Sequence, residues 1–146
     1  MLARAGLRSY RGTDCGMVSG RNGEGIAGMT RIWIAAAALG GFAAVALGAA
    51  SHHLAFDASL LDTASRYLMY HSLALLAVAL LARAEVTIAL RIAGWSFLAG
   101  MIAFAGGLVA LAGMGSALAG VSTPIGGTLF MIGWLALAWH GGRSRG

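Results

Sequence analysis

Four stretches without a charged residue constrain this chain more than any other feature: Ile32–Ala50, Tyr67–Ala82, Ile92–Ala112 and Val121–Trp139. A helix needs roughly 20 apolar residues to cross bilayer hydrocarbon. Helices suit that medium because they satisfy their own backbone N–H and C=O groups where water does not reach. The first run, about 19 residues, spans about 28 Å at helical rise. The second is short unless Thr63–Ser65 extend it. Only 10% of the residues are charged and 59% are hydrophobic, against about 25% and about 45–50% in soluble domains. So few charges cannot coat a water-exposed surface. The expected fold is an all-α membrane protein, a bundle of four transmembrane helices.

The first run also has features of a secretory signal peptide, with Arg31 as its basic flank and small residues at Gly48–Ala50. Its length and the three further runs favour a retained span. Residues 1–28 are rich in glycine and arginine without helical or strand periodicity. They are expected to be a disordered cytoplasmic tail, or to precede a true start at Met29. The membrane domain is expected over 29–140, with a short cytoplasmic tail at 141–146. Pro124 is expected in the first turn of the fourth helix, where its missing N–H goes unused. The glycine-rich stretch Gly113–Gly120 is expected to be a tight turn.

Arginine placement predicts orientation. Arg4, Arg8, Arg11, Arg21 and Arg31 precede the first span, Arg83 and Arg91 lie between the second and third, and Arg143 and Arg145 follow the fourth. Only Arg66 falls on the other side. Nine against one puts both termini in the cytoplasm by the positive-inside bias. Trp33, Trp95 and Trp139 are expected as anchors at that interface, with Tyr67 and Tyr70 toward the opposite one. The net charge of +5 is thereby explained by topology, and no nucleic-acid partner is expected. The lone Cys15 forms no internal disulfide.

Small residues recur every four positions at Ala36, Gly40, Ala44 and Gly48 and at Ala99, Ala103 and Gly107; Gly126 and Gly133 stand seven apart. Such stripes let helix backbones approach closely. No nucleophile stands beside a base, and no carboxylate pair, phosphate-binding glycine loop or metal-ligand spacing is present. No catalytic residue, cofactor or metal is accordingly expected.

What remains is a small polar constellation of His53, His71, Tyr67 and Thr123. Tyr67 precedes His71 by four residues and shares its helix face. His71 lies about one turn inside the second span, where a histidine is costly unless paired or hydrated. The structural expectation is a hydrogen bond to a neighbouring helix, at His53 or the Ser122–Pro124 turn, that fixes the bundle's register. The functional ones are a pocket on the outer side for a small polar molecule or lipid headgroup and, last, a histidine-based metal site.

The residues resemble a known family in Gly41-Phe42, Val45-Ala46-Leu47-Gly48-Ala49 and His53, then Tyr67 to Ala74 (YLMYHSLA), then Thr123-Pro124-Ile125-Gly126-Gly127 with Gly133-Trp134. In that order they are similar to the YgdD-like family of small bacterial inner-membrane proteins, a domain of unknown function (DUF423). The resemblance covers about Met29 to Trp139 and implies four helices and the bacterial plasma membrane, without an activity. The chain departs from the family at Gly48–His53 and at Phe104–Val109, where relatives often carry serines and a tyrosine.

Three function classes follow. The leading expectation is a structural or interaction protein without catalysis, partnered by the lipid bilayer and by a second copy or another membrane protein. The alternative is a small oligomeric transporter or channel with an outer-side polar pocket around His53 and His71. A membrane enzyme ranks last.

Overall fold

A computed structural model describes residues 19–53, 57–114 and 117–143. Four helices account for nearly all of them: α1 (Ser19–His53), α2 (Ala58–Ala84), α3 (Ile88–Met114) and α4 (Ala117–Arg143). Each contains a segment long and apolar enough to cross a membrane.

The helices outrun the charge-free stretches that announced them. Asp57 caps α2, its Oδ1 accepting the N–H groups of Ser59 at 3.0 Å and Leu60 at 3.4 Å. An exposed ion pair between Asp62 and Arg66, 2.7 Å apart, follows at i,i+4 spacing. The mixed polar and apolar segment 58–66 therefore extends the helix, while Leu61, Ala64 and Leu68 turn one face into the core. Thr87 caps α3, its Oγ1 accepting the Leu90 N–H at 3.2 Å. Residues 19–28 are helical, whereas the expectation for 1–18 falls outside the described residues. Two expectations near α4 are corrected. Of the turn expected at Gly113–Gly120, residues 113–114 belong to α3 and 117–120 to α4, where alanines and a leucine favour helix; residues 115–116 lie outside the described residues. Pro124 consequently lies two turns inside α4 and leaves the Gly120 carbonyl without its usual intrahelical donor.

Neighbouring helices run antiparallel. α1 packs on α2 and α4 on α3, forming two hairpins joined by the α2–α3 contact; α1 touches α3 lightly. Glycines set the spacing. A methyl group on Gly40 would collide with the Ser72 hydroxyl and the Met101 side chain, and one on Gly48 would press on Ser65. Between them the Ser65 hydroxyl donates to the Ala44 carbonyl at 2.7 Å, tying α2 to α1. The expected stripe on α1 thus holds at Gly40, Ala44 and Gly48. On α3 the expected stripe fails at Ala99, which is exposed, while Ala103 is half-buried and Gly107 buried; Gly94 and Gly100 are close approaches as well. On α4, Gly126 faces the Phe104 backbone and Gly133 the Phe97 ring.

Trp33 departs from its expected role as an interfacial anchor. Its ring is 0% exposed, seated over Gly94 and edge-on to Trp95 with centroids 6.1 Å apart. Gly94 leaves the space, and helix packing takes the indole out of the boundary. Trp95 and Trp139 remain about half exposed.

Candidate functional site

His71 stands thirteen residues from each end of α2 (71 − 58 and 84 − 71). It lies five residues beyond Arg66, about 7.5 Å along the axis, so it sits just over one turn past the last charge. Its Nδ1 is 2.7 Å from the Tyr67 carbonyl, one turn back on the same helix. A carbonyl only accepts, so Nδ1 carries the proton. The Trp134 indole donates to His71 Nε2 at 3.3 Å, and an indole N–H only donates, so Nε2 is the bare nitrogen. The two bonds together define the neutral imidazole protonated at Nδ1, with both nitrogens engaged. One of them reaches α4.

Rings enclose this histidine. Phe130 stacks on it at 3.4 Å between centroids and 8° between planes. Tyr67 lies nearly parallel at 6.0 Å, and Phe97 and Trp134 approach at an angle. Phe104 joins the cluster against Tyr67 at 4.7 Å and Phe130 at 5.6 Å. The spacing of these residues follows from helix geometry. Tyr67 and His71 are i,i+4 on α2, Phe130 and Trp134 are i,i+4 on α4, and Phe97 and Phe104 are seven apart on α3. Gly126 and Gly133 bring α4 close enough to α3 for these rings to meet.

The cluster forms one wall of a lateral groove of about 800 Å³ between α2 and α4. Tyr70, Pro124, Gly127, Thr128 and Met131 line it with rings of the cluster. Most of these groups are apolar. The Thr128 hydroxyl is turned back onto the Pro124 carbonyl at 2.9 Å.

The structure brings Tyr67 and His71 together. Thr123 is half-buried beside Pro124, and Thr123 itself does not line the groove. His53 is not brought in. It is exposed at the end of α1, and the register set by Gly48 opposite Ser65 places it beside the start of α2, about 16 Å along the axis from His71. The partner that sequence reasoning missed is Trp134, with Phe130 and Phe104. Its signal was the matched i,i+4 pairs of aromatic residues on α2 and α4, legible only once the two helices are known to face each other. No group of three or more potential metal ligands occurs among the described residues.

At the opposite end of the bundle, where the α2–α3 connection meets the last turn of α4, lies a second cavity of about 440 Å³. It is lined by Glu85, Thr87, Ile88, Ala89, Trp139, His140 and Arg143. Thr87 Oγ1 and His140 Nδ1 are 3.1 Å apart, and the Arg143 guanidinium lies over the Trp139 ring at 5.3 Å.

Residues 31–127 match the family model described as "Protein of unknown function (DUF423)". The chain is 43% identical over 123 residues to a UPF0382 membrane protein of Haemophilus influenzae, covering 80% of this chain and 98% of that relative. No solved structure matches.

Proposed function

The chain belongs to the family described as protein of unknown function (DUF423), whose name assigns no activity, and we propose from the site itself that it is a non-catalytic interaction protein of the bacterial plasma membrane. It binds an apolar helix of a membrane partner, either another protein or a second copy, in the groove between α2 and α4. The observation that carries this reading is the state of His71. Both ring nitrogens are committed, one to its own helix and one to Trp134, so the polar group in the site is spent on holding α2 to α4. That leaves a fixed aromatic wall, with Gly127 beside it as a point of close approach for a second backbone. A carrier would need its intramembrane histidine available to a moving ion or proton.

A photo-crosslinking residue at Met131 tests this in native membranes. Capture of one defined polypeptide, lost when Gly127 is replaced by Trp, is the expected result; capture of lipid alone would sink the proposal. Proteoliposome flux that depends on His71 would favour the transporter instead.

A further inference from the structure

We propose that the cavity at the α2–α3 connection binds a zwitterionic headgroup carrying a phosphate and a primary ammonium, the headgroup of a phosphatidylethanolamine. Opposite charges line this one cavity without meeting: Glu85 and Arg143 both border it. The ion pair formed among the described residues is that of Asp62 and Arg66, on another part of the chain. A ligand with both charges completes each. The Arg143 guanidinium, held over the Trp139 ring, receives the phosphate in its planar fork of donors. The Glu85 carboxylate receives the ammonium. Thr87 and His140, joined at 3.1 Å, add polar groups to the same lining.

Size and position agree with this ligand. About 440 Å³ lies within the range of small-ligand pockets, about 300–1,000 Å³. The cavity opens at the ends of three membrane-spanning segments, Ala58–Ala84, Ile88–Gly113 and Gly120–Arg143. On its lining Ile88 is largely exposed and Trp139 about half exposed, giving acyl chains an apolar path from the headgroup into the bilayer. An amphipathic indole beside it belongs at headgroup depth. The carboxylate is what selects the headgroup. An anionic phosphatidylglycerol offers Glu85 neutral hydroxyls but no positive charge, and the quaternary ammonium of phosphatidylcholine cannot donate a hydrogen bond to it. The same phosphate-and-ammonium chemistry occurs in soluble phosphoethanolamine, which lacks the chains.

The test is native mass spectrometry of the full chain in nanodiscs holding equal parts of phosphatidylethanolamine, phosphatidylglycerol and phosphatidylcholine. The wild type is expected to retain phosphatidylethanolamine over the other two by about fivefold, the order expected of one partly exposed charge pair. Glu85→Gln moves the preference to phosphatidylglycerol, and Arg143→Gln lowers retention of all three. Both side chains are exposed, so helical content by circular dichroism stays at the wild-type value. Retention of soluble phosphoethanolamine as strongly as of the lipid, at equal concentration, would keep the recognition chemistry but reassign the source to a soluble ligand, overturning the lipid. Equal retention of the three lipids by the wild type, or an unchanged preference in Glu85→Gln, would overturn the proposal altogether.

Discussion

At His71 the local chemistry is a strut, and its parts can be removed one at a time. Replacing Trp134 by Phe keeps the ring and deletes the N–H that reaches Nε2. The expected loss is about 0.6 kcal/mol and at most about 1.7, the average and the upper value of interhelical hydrogen bonds in a membrane protein. The pair His71→Phe and Trp134→Phe should lose less than the two singles summed, because no acceptor is then left unpaired; strict additivity in detergent unfolding titrations would show that the bond carries no coupling. Glycines give a sharper contrast. On Gly126 a methyl group would sit 2.8 Å from the Phe104 Cα, and backbone cannot turn aside, so Gly126→Ala should cost about 1–3 kcal/mol. Gly127→Ala meets nothing within 4 Å and should be neutral or slightly stabilising, alanine being the better helix former by about 1 kcal/mol. Comparing the two melting temperatures checks both. Ser72, buried with no hydrogen-bond partner among the described residues, should likewise tolerate alanine.

Element boundaries depend on chemistry that hydropathy overlooks. The capping carboxylate of Asp57 lies outside the apolar span, and its pKa is held below the usual carboxylate value by the Ser59 hydroxyl first and the Leu60 N–H next. A depressed folded-state pKa contributes stability that is present above the unfolded value, about 3.9, and is lost as pH falls through the folded one. Faster amide exchange at Ser59–Leu61 is therefore expected as pH drops below about 4 relative to intrinsic rates, with Asp57→Ala showing no such step. Four helices were legible in the sequence because apolar runs dictate them. Their true lengths were not, because a charge inside a helix, as at Asp62 and Arg66, breaks an apolar run without breaking the helix. At the site, Tyr67 and His71 were legible from i,i+4 spacing on one helix. Trp134 was not, since which face of α4 meets α2 depends on Gly126 and Gly133 seating against α3. Trp33 was misread for a related reason: its socket, Gly94, lies 61 residues away in the chain (94 − 33).

For the whole molecule, four antiparallel helices put the start of α1 and the end of α4 on one side. The arginine distribution, nine against one, leads us to expect that side to be the cytoplasm. The lone Cys15 makes the check direct. An impermeant maleimide should leave Cys15 unlabelled in intact spheroplasts and label it after permeabilisation, while Ser59→Cys in a Cys15→Ala background labels at once; the reverse pattern would invert the topology. Packing within the bundle is uneven, since α1 grips α2 and α4 grips α3 more closely than the halves hold each other. Each half is a complete hairpin with its own glycine seam, and His71 carries a bond and a ring stack across the divide. A chain severed between Glu85 and Thr87 should consequently reassemble when its two fragments are expressed together, the aromatic cluster acting as the recognition code between them.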